Sequence, residues 1–287
     1  QWHAHTYYTH LFRNSMKVEL NGRYTHHAIY DETIKFIKDN KDDPFFLYCP
    51  WTPPHAAYQI PEDEPAWQIY KDKPWGKDAK VAAAMDTMMD RQVGEITALL
   101  KKLGIYENTL MFFTSDNGAA KRFDGVHNSC GVMQGHKRSL NEGGIRVPMV
   151  VRWPGKIKPG SVSDHPWYFP DVMPTLAEIA GVSKEVPKDI DGISVLPTLL
   201  GKGEQKQHEY MYWQFGVRAA RSGKWKGIGK GGHMYLYDLS KDMAEKNDLS
   251  AKHPEIAAKF KHYITVGYRE PRSQKDDGKY TGKGKKK

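Results

Sequence analysis

The sequence predicts an α/β fold with a small antiparallel sheet towards its C-terminal end, and three observations carry that prediction. Short apolar runs at residues 45–49, 109–113 and 147–153 alternate with segments of helical period. The first two runs empty abruptly into polar loops, as strands do at the carboxyl edge of an open α/β sheet. After about residue 205 the texture changes to short β-prone stretches separated by Gly/Lys turns.

Composition sets the bounds. The chain has 287 residues, 39% hydrophobic and 27% charged, enough for one large domain or one large and one small. No run of about 18 apolar residues occurs, so no membrane span is expected. The opening Gln1-Trp2-His3-Ala4-His5 has no initiator Met, charged n-region or apolar h-region, and is not a signal peptide. A chain that starts this way is either processed or a piece of something longer. Two cysteines, Cys49 and Cys130, exclude a disulfide scaffold, and no close Cys/His spacing suggests zinc; one disulfide or two free thiols both fit. Much of the net charge of +9 lies at the end of the chain, where residues 269–287 hold eight basic and three acidic side chains. That Gly/Lys-rich stretch is expected to be a disordered basic tail, either a polyanion tether or a solubilising end. No nucleic-acid motif accompanies it, so no nucleic-acid partner is expected.

Taken in order, residues 29–38 read as a helix, with Ile29, Thr33, Phe36 and Ile37 on one side. After the break at Asn40 to Pro44, Phe45-Phe46-Leu47-Tyr48-Cys49 reads as a strand buried on both faces. It leads into a loop with Pro50, Pro53 and Pro54, just before His55. Residues 78–103 form the longest predicted helix, with Val81, Met85, Met88, Met89, Val93, Ile96, Leu99, Leu100 and Leu103 at helical spacing as core and Gly104 at the C′ position. Residues 109–113 are a second buried strand, ending in Thr114-Ser115-Asp116-Asn117-Gly118. The polar, Gly-rich stretch 118–144 is long for a connection, and long connections without structure of their own are often functional. A third strand at 147–153 precedes Pro154-Gly155, and residues 170–180 read as a helix closed by Gly181. Residues 210–213, 217–220 and 234–237 are short strands, and 253–263 a last helix. The expected organisation is an α/β domain over 1–204, a small α+β subdomain over 205–267 and a basic tail over 268–287.

Few of these residues can do chemistry. Asp116 and Asn117 set a carboxylate beside an amide carbonyl at a strand end, a pair suited to a hard cation such as calcium or magnesium, although Asp-Asn-Gly is equally a turn sequence. His55 is held behind two prolines, yet a lone loop histidine is commonly an ordinary surface residue. Lys137, in Gly135-His136-Lys137-Arg138, stands near the double glycine Gly143-Gly144 and could face an oxyanion, as could any solvated basic loop. The crowd of His3, His5, His10, His26 and His27 fits no closed zinc pattern. The aromatic residues, 12% of the chain, sit mostly in apparent strands and read as core, with Trp51 and Tyr58 beside His55 as candidates for sugar stacking.

In combination these motifs resemble a known family. Phe113-Thr114-Ser115-Asp116-Asn117-Gly118, a lysine 21 positions after the aspartate, and Glu142-Gly143-Gly144-Ile145-Arg146-Val147-Pro148 look like the metal-and-sulfate region of the formylglycine-dependent sulfatases. Pro54-His55-Ala56 resembles the family's histidine loop, while Asp171-Val172-Met173-Pro174-Thr175-Leu176 and Leu236-Tyr237-Asp238-Leu239 resemble later segments; the match runs from about Tyr24 to Leu249. The resemblance implies an alkaline-phosphatase-like mixed sheet sandwiched by helices, incomplete in this chain, and hydrolysis of aryl or carbohydrate sulfate esters. It implies that Asp116 and Asn117 ligate calcium, that Lys137 contacts a sulfate oxygen, and that His55 contacts the sulfate or the leaving-group oxygen as a candidate general acid. The expected partner is a sulfated small molecule or polysaccharide, and the expected location secreted or periplasmic.

The chain also departs from the pattern. The family's nucleophile is a formylglycine made from the Cys of a Cys-x-Pro-Ser-Arg motif, and neither Cys49-Pro50-Trp51-Thr52 nor Cys130-Gly131-Val132-Met133 fits it. The family's Asp-Asp metal pair has no counterpart in the opening residues. The nucleophile and the first strands of the sheet are therefore expected upstream of this chain, which alone is expected to be inactive. A non-catalytic remnant that binds sulfated polysaccharide through Lys137, Arg138 and the tail is the alternative.

Overall fold

In the computed structural model residues 7–270 are described, and they fall into two compact units. The first runs through Leu110 and includes Gly125–His127; the second comprises Met111–Asp124 and the chain from Asn128 onward.

The first unit opens with an antiparallel hairpin of β1 (His10–Arg13) and β2 (Met16–Glu19), in register His10↔Glu19. Three helices follow: α1 (Thr25–Asp39), α2 (Pro65–Tyr70) and α3 (Lys77–Lys102). Helix α1 starts four residues before the predicted position, at a turn where Thr25 and His26 are buried. Helix α2 has proline in its first turn, where no amide hydrogen is needed, and its cap residue Glu64 accepts from Ala66 N at 3.4 Å. Helix α3 closes as its sequence predicts: Gly104 takes φ 73°, its N donates to Lys101 O at 3.1 Å, and Ile105 N donates to Leu100 O at 3.1 Å. The methionine stripe is core, with Met85 and Met88 fully buried. Tyr24, Ala66, Ala84 and Met88 pack together, and His26 Nε2 donates to Gln92 Oε1 at 2.6 Å to tie α1 to α3.

Residues 45–49 do not form the buried strand that their apolar character predicts. Among the described residues no strand hydrogen-bonds to them, and Phe46 and Tyr48 are 72% and 74% exposed. A strand exists only as one side of a ladder, so an apolar run without a neighbour stays irregular.

The second unit contains β3 (Met111–Thr114), the single turn α4 (Glu142–Ile145) and β4 (Met149–Arg152), then α5 (Val172–Ile179) and α6 (Leu196–Leu200). Strands β3 and β4 pair antiparallel with Phe113 opposite Val150. The predicted full burial is met on neither face: Phe112 is half-buried, edge-on against Trp167, and Phe113 and Val150 are 40% and 60% exposed on the other side. The buried Asp171 carboxylate accepts from Tyr168 N, Ile193 N and His208 Nε2 at 2.8–2.9 Å, fixing the start of α5.

The C-terminal sheet is a four-stranded antiparallel meander of β5 (Met211–Phe215), β6 (Val217–Ser222), β7 (Trp225–Lys230) and β8 (His233–Asp238), followed by α7 (Pro254–Val266). One face, through Ala220 and Leu236, receives Phe260 and Tyr263 of α7. Residues of the opposite parity, Ala219, Ile228 and Tyr237, pack with Leu140 and Ile145 from the long connection.

Both cysteines are free thiols, and burial pushes the Cys49 thiol upward in pKa. No helix among the described residues is long and apolar enough to cross a membrane. His3 and His5, and the basic stretch from residue 271 onward, lie outside the described residues.

Candidate functional site

The candidate site grows from the end of β3. Thr114 Oγ1 donates to Pro148 O at 2.9 Å, closing the end of the β3–β4 ladder, and the chain turns through Asp116 and Asn117 into Gly118. Ser115 Oγ donates to Asn117 O at 3.1 Å, so the Asp-Asn turn is stabilised from within. The Asp116 side chain is exposed and Asn117 is half-buried.

Three backbone segments then meet. Gly118 N donates to Gly144 O at 3.0 Å, Gly143 N donates to Gln134 O at 2.8 Å, and Lys137 N donates to Ala119 O at 2.9 Å. The glycines are there because the backbones touch. A Cβ on Gly118 would lie 1.9 Å from Gly143 O, one on Gly143 2.3 Å from Gly135 O, and one on Gly144 2.1 Å from Ser139 O. Residues 118–119, 134–139 and 143–144 thus form a close-packed backbone cluster within the second unit, from which Asp116-Asn117 and Lys137 extend.

Lys137 is half-buried, and among the described residues no carboxylate forms an ion pair with it. The neighbouring His136 instead pairs with Asp124. An ammonium with no carboxylate partner among the described residues, on a loop tied by backbone hydrogen bonds, suits an anion.

His55 belongs to the first unit. It is exposed, and its Nδ1 donates to Ala56 O at 2.7 Å. A carbonyl can only accept, so Nδ1 is the donor in this contact and Nε2 is left for another partner. Nearby, Trp51 stacks edge-on against His26 and Tyr30, as part of the helix packing.

Asp116 and Asn117 do not by themselves fit calcium. The ion takes about six to eight oxygens, and among the described residues no group of three His, Cys, Asp or Glu side chains converges on a metal position.

A fold of this kind with this loop defines a class. A family profile described as Sulfatase matches residues 2–182, and the chain belongs to the sulfatase family. A second profile, N-sulphoglucosamine sulphohydrolase, C-terminal, matches residues 134–266 and so takes in the Lys137 segment and the C-terminal sheet. The chain is 35% identical over 188 residues to a steryl-sulfatase of Rattus norvegicus, covering 63% of this chain and 31% of that protein. It is 30% identical over 267 residues to an N-acetylgalactosamine-6-O-sulfatase of Bacteroides thetaiotaomicron, covering 82% of this chain and 49% of that protein. The crystal structure of Ps i-CgsB in complex with k-i-k-neocarrahexaose superposes with a TM-score of 0.75 at 28% identity, over 88% of this chain and 56% of that one. The fold is therefore the alkaline-phosphatase-like α/β fold of sulfatases, with a four-stranded antiparallel sheet towards the C-terminal end. The chain spans 31% and 49% of the length of these two relatives.

Sequence reasoning missed the small residues as packing elements and missed the buried charges behind Glu142, described below. The closely spaced glycines 118, 135, 143 and 144 were the available signal for the first. Nothing in the linear pattern marks the second.

Proposed function

We propose that the protein of which these residues form part hydrolyses sulfate esters of carbohydrate or aryl substrates, with Lys137, His55, Asp116 and Asn117 in its site. The observation that carries this reading is the Lys137 ammonium, half-buried and without an ion-pair partner among the described residues, on the glycine cluster beside Asp116-Asn117 in a sulfatase-family chain. In this reading Lys137 binds a non-bridging sulfate oxygen and offsets charge that must be held while the S–O bond breaks. His55, through Nε2, meets the leaving-group oxygen and, once protonated, supplies its proton. The nucleophile is contributed from outside these 287 residues, because neither Cys49 nor Cys130 lies in a Cys-x-Pro-Ser-Arg motif. A calcium ion would need further carboxylates, and no step here is assigned to it.

The N-acetylgalactosamine-6-O-sulfatase and the k-i-k-neocarrahexaose complex support a sulfated saccharide as substrate, and the steryl-sulfatase a non-carbohydrate ester. An exported location, secreted or periplasmic, goes with the family reading. Residues 1–204 would then carry the catalytic α/β region and 205–267 a small α+β subdomain. The test is hydrolysis of p-nitrophenyl sulfate by this chain alone and by the chain joined to its upstream coding sequence, both co-expressed with a formylglycine-generating enzyme. Turnover is expected in the longer form alone, and Lys137→Ala in that form should lower kcat by about 10²–10³. A longer form that binds sulfated polysaccharide without turnover would replace this reading with the non-catalytic one.

A further inference from the structure

Behind the glycine cluster lies a set of buried charges. Lys226, on β7, has no exposed surface; its Nζ donates to Glu142 Oε1 at 2.8 Å and lies 2.9 Å from Glu245 Oε1. Glu245 in turn accepts the Glu142 backbone N–H through Oε2 at 2.6 Å. Both carboxylates are buried. Arg146 and Arg221 reach the other oxygen of Glu142 at 3.6 and 3.9 Å. Glu245 holds a left-handed φ of 51°, a conformation a non-glycine residue adopts when its surroundings over-determine it.

Glu142 immediately precedes Gly143 and Gly144, the residues on which Gly118 and Gln134 close. Its side chain is held by β7 and its amide by the segment after β8. Whatever fixes Glu142 therefore fixes the turn against which the Asp116-Asn117 loop and the Lys137 loop are packed. An ammonium between two buried carboxylates is a costly arrangement to keep; removing it leaves Glu245 without its ion-pair partner and Glu142 with only the longer contacts to Arg146 and Arg221. Leu140 and Ile145 flank the same turn and bury their side chains against Ala219, Ile228 and Tyr237, so apolar packing alone already anchors the segment; the ion set adds direction.

We propose that Lys226 and Glu245 are positioning residues for the anion site: from the C-terminal sheet they clamp Glu142, and through the Gly143-Gly144 turn they set the place of Lys137. This rests on the reading of Lys137 as the sulfate contact. Neither residue would touch the ligand.

The test uses the whole 287-residue chain, with p-nitrophenyl sulfate binding followed by ligand-observed NMR and amide exchange followed by mass spectrometry. Lys226→Met and Glu245→Ala should each raise Kd about tenfold. They should also speed exchange in peptides covering 118–144 while the β5–β6 ladder keeps its protection. Glu245→Gln retains an oxygen for the Glu142 amide and should stay within about twofold of the parent. A folded Lys226→Met chain with the parent Kd and parent exchange overturns the inference. Should Lys226→Met fail to fold, equal Kd values for Glu245→Ala and Glu245→Gln overturn it instead. If Lys137→Ala binds like the parent, the site reading itself fails, and this inference with it.

Discussion

Alanine at Gly118 is the sharpest probe of the site's construction. Its methyl carbon would lie 1.9 Å from Gly143 O and 2.8 Å from Gly143 C, both backbone atoms that no side-chain rotation can move aside. Relief requires the two segments to separate by more than an ångström, and that breaks the 3.0 Å hydrogen bond from Gly118 N to Gly144 O. The lost bond costs about 1 kcal/mol and the overpacking about 1–3 kcal/mol. At about 2–4 °C per kcal/mol, the apparent Tm should fall by roughly 5–15 °C. Gly94→Ala is the matched control: it lies inside α3, a Cβ there meets nothing within 4 Å, and alanine should stabilise by about 0.5–1 kcal/mol. Thermal unfolding followed by circular dichroism reads both. A Gly118→Ala chain that melts within about 2 °C of the parent would refute the close-packed cluster.

Two further outcomes are expected. Millimolar calcium should leave the Tm of this chain unchanged, since one carboxylate and one amide supply too few oxygens; a rise of several degrees would show a donor set that Asp116 and Asn117 do not account for. Burial holds the His26 imidazole below its usual pKa of 6.5. The unfolded chain takes up that proton at its ordinary value, so this contribution to stability is present above about pH 6.5 and is lost as the pH falls below it. Urea midpoints at pH 7.5 and 5.5 should therefore differ more in the parent than in His26→Leu/Gln92→Leu, which removes both hydrogen-bonding partners; equal differences would count against a neutral buried His26.

The sequence was most legible where one element answers to its own pattern. Helix α3 kept its methionine face and its Gly104 cap because both are local, and the helix at 170–180 and the final helix were found for the same reason. Residues 45–49 misled because apolar character says that a run can be buried, and only a hydrogen-bonded neighbour makes it a strand. Strand β7 was hidden because Gly227 and Gly229 make Trp225-Lys226-Gly227-Ile228-Gly229-Lys230 look like a turn. The site was visible as separated motifs, Asp116-Asn117 and Lys137, yet the packing that joins them was not. Lys226 was the least legible, since nothing in a linear pattern separates a lysine with no exposed surface from those lining a solvated loop.

The hydrogen bond between Glu142 and Glu245 spans 103 positions in the chain. During synthesis, at about 5–20 residues per second, Glu142 would wait roughly 5–20 s for that partner to be made. The segment around Lys137 must spend that interval without its final support. A transcript ended shortly before Glu245 would keep the whole sulfatase-matched stretch at 2–182 and still leave the Lys137 loop without that support.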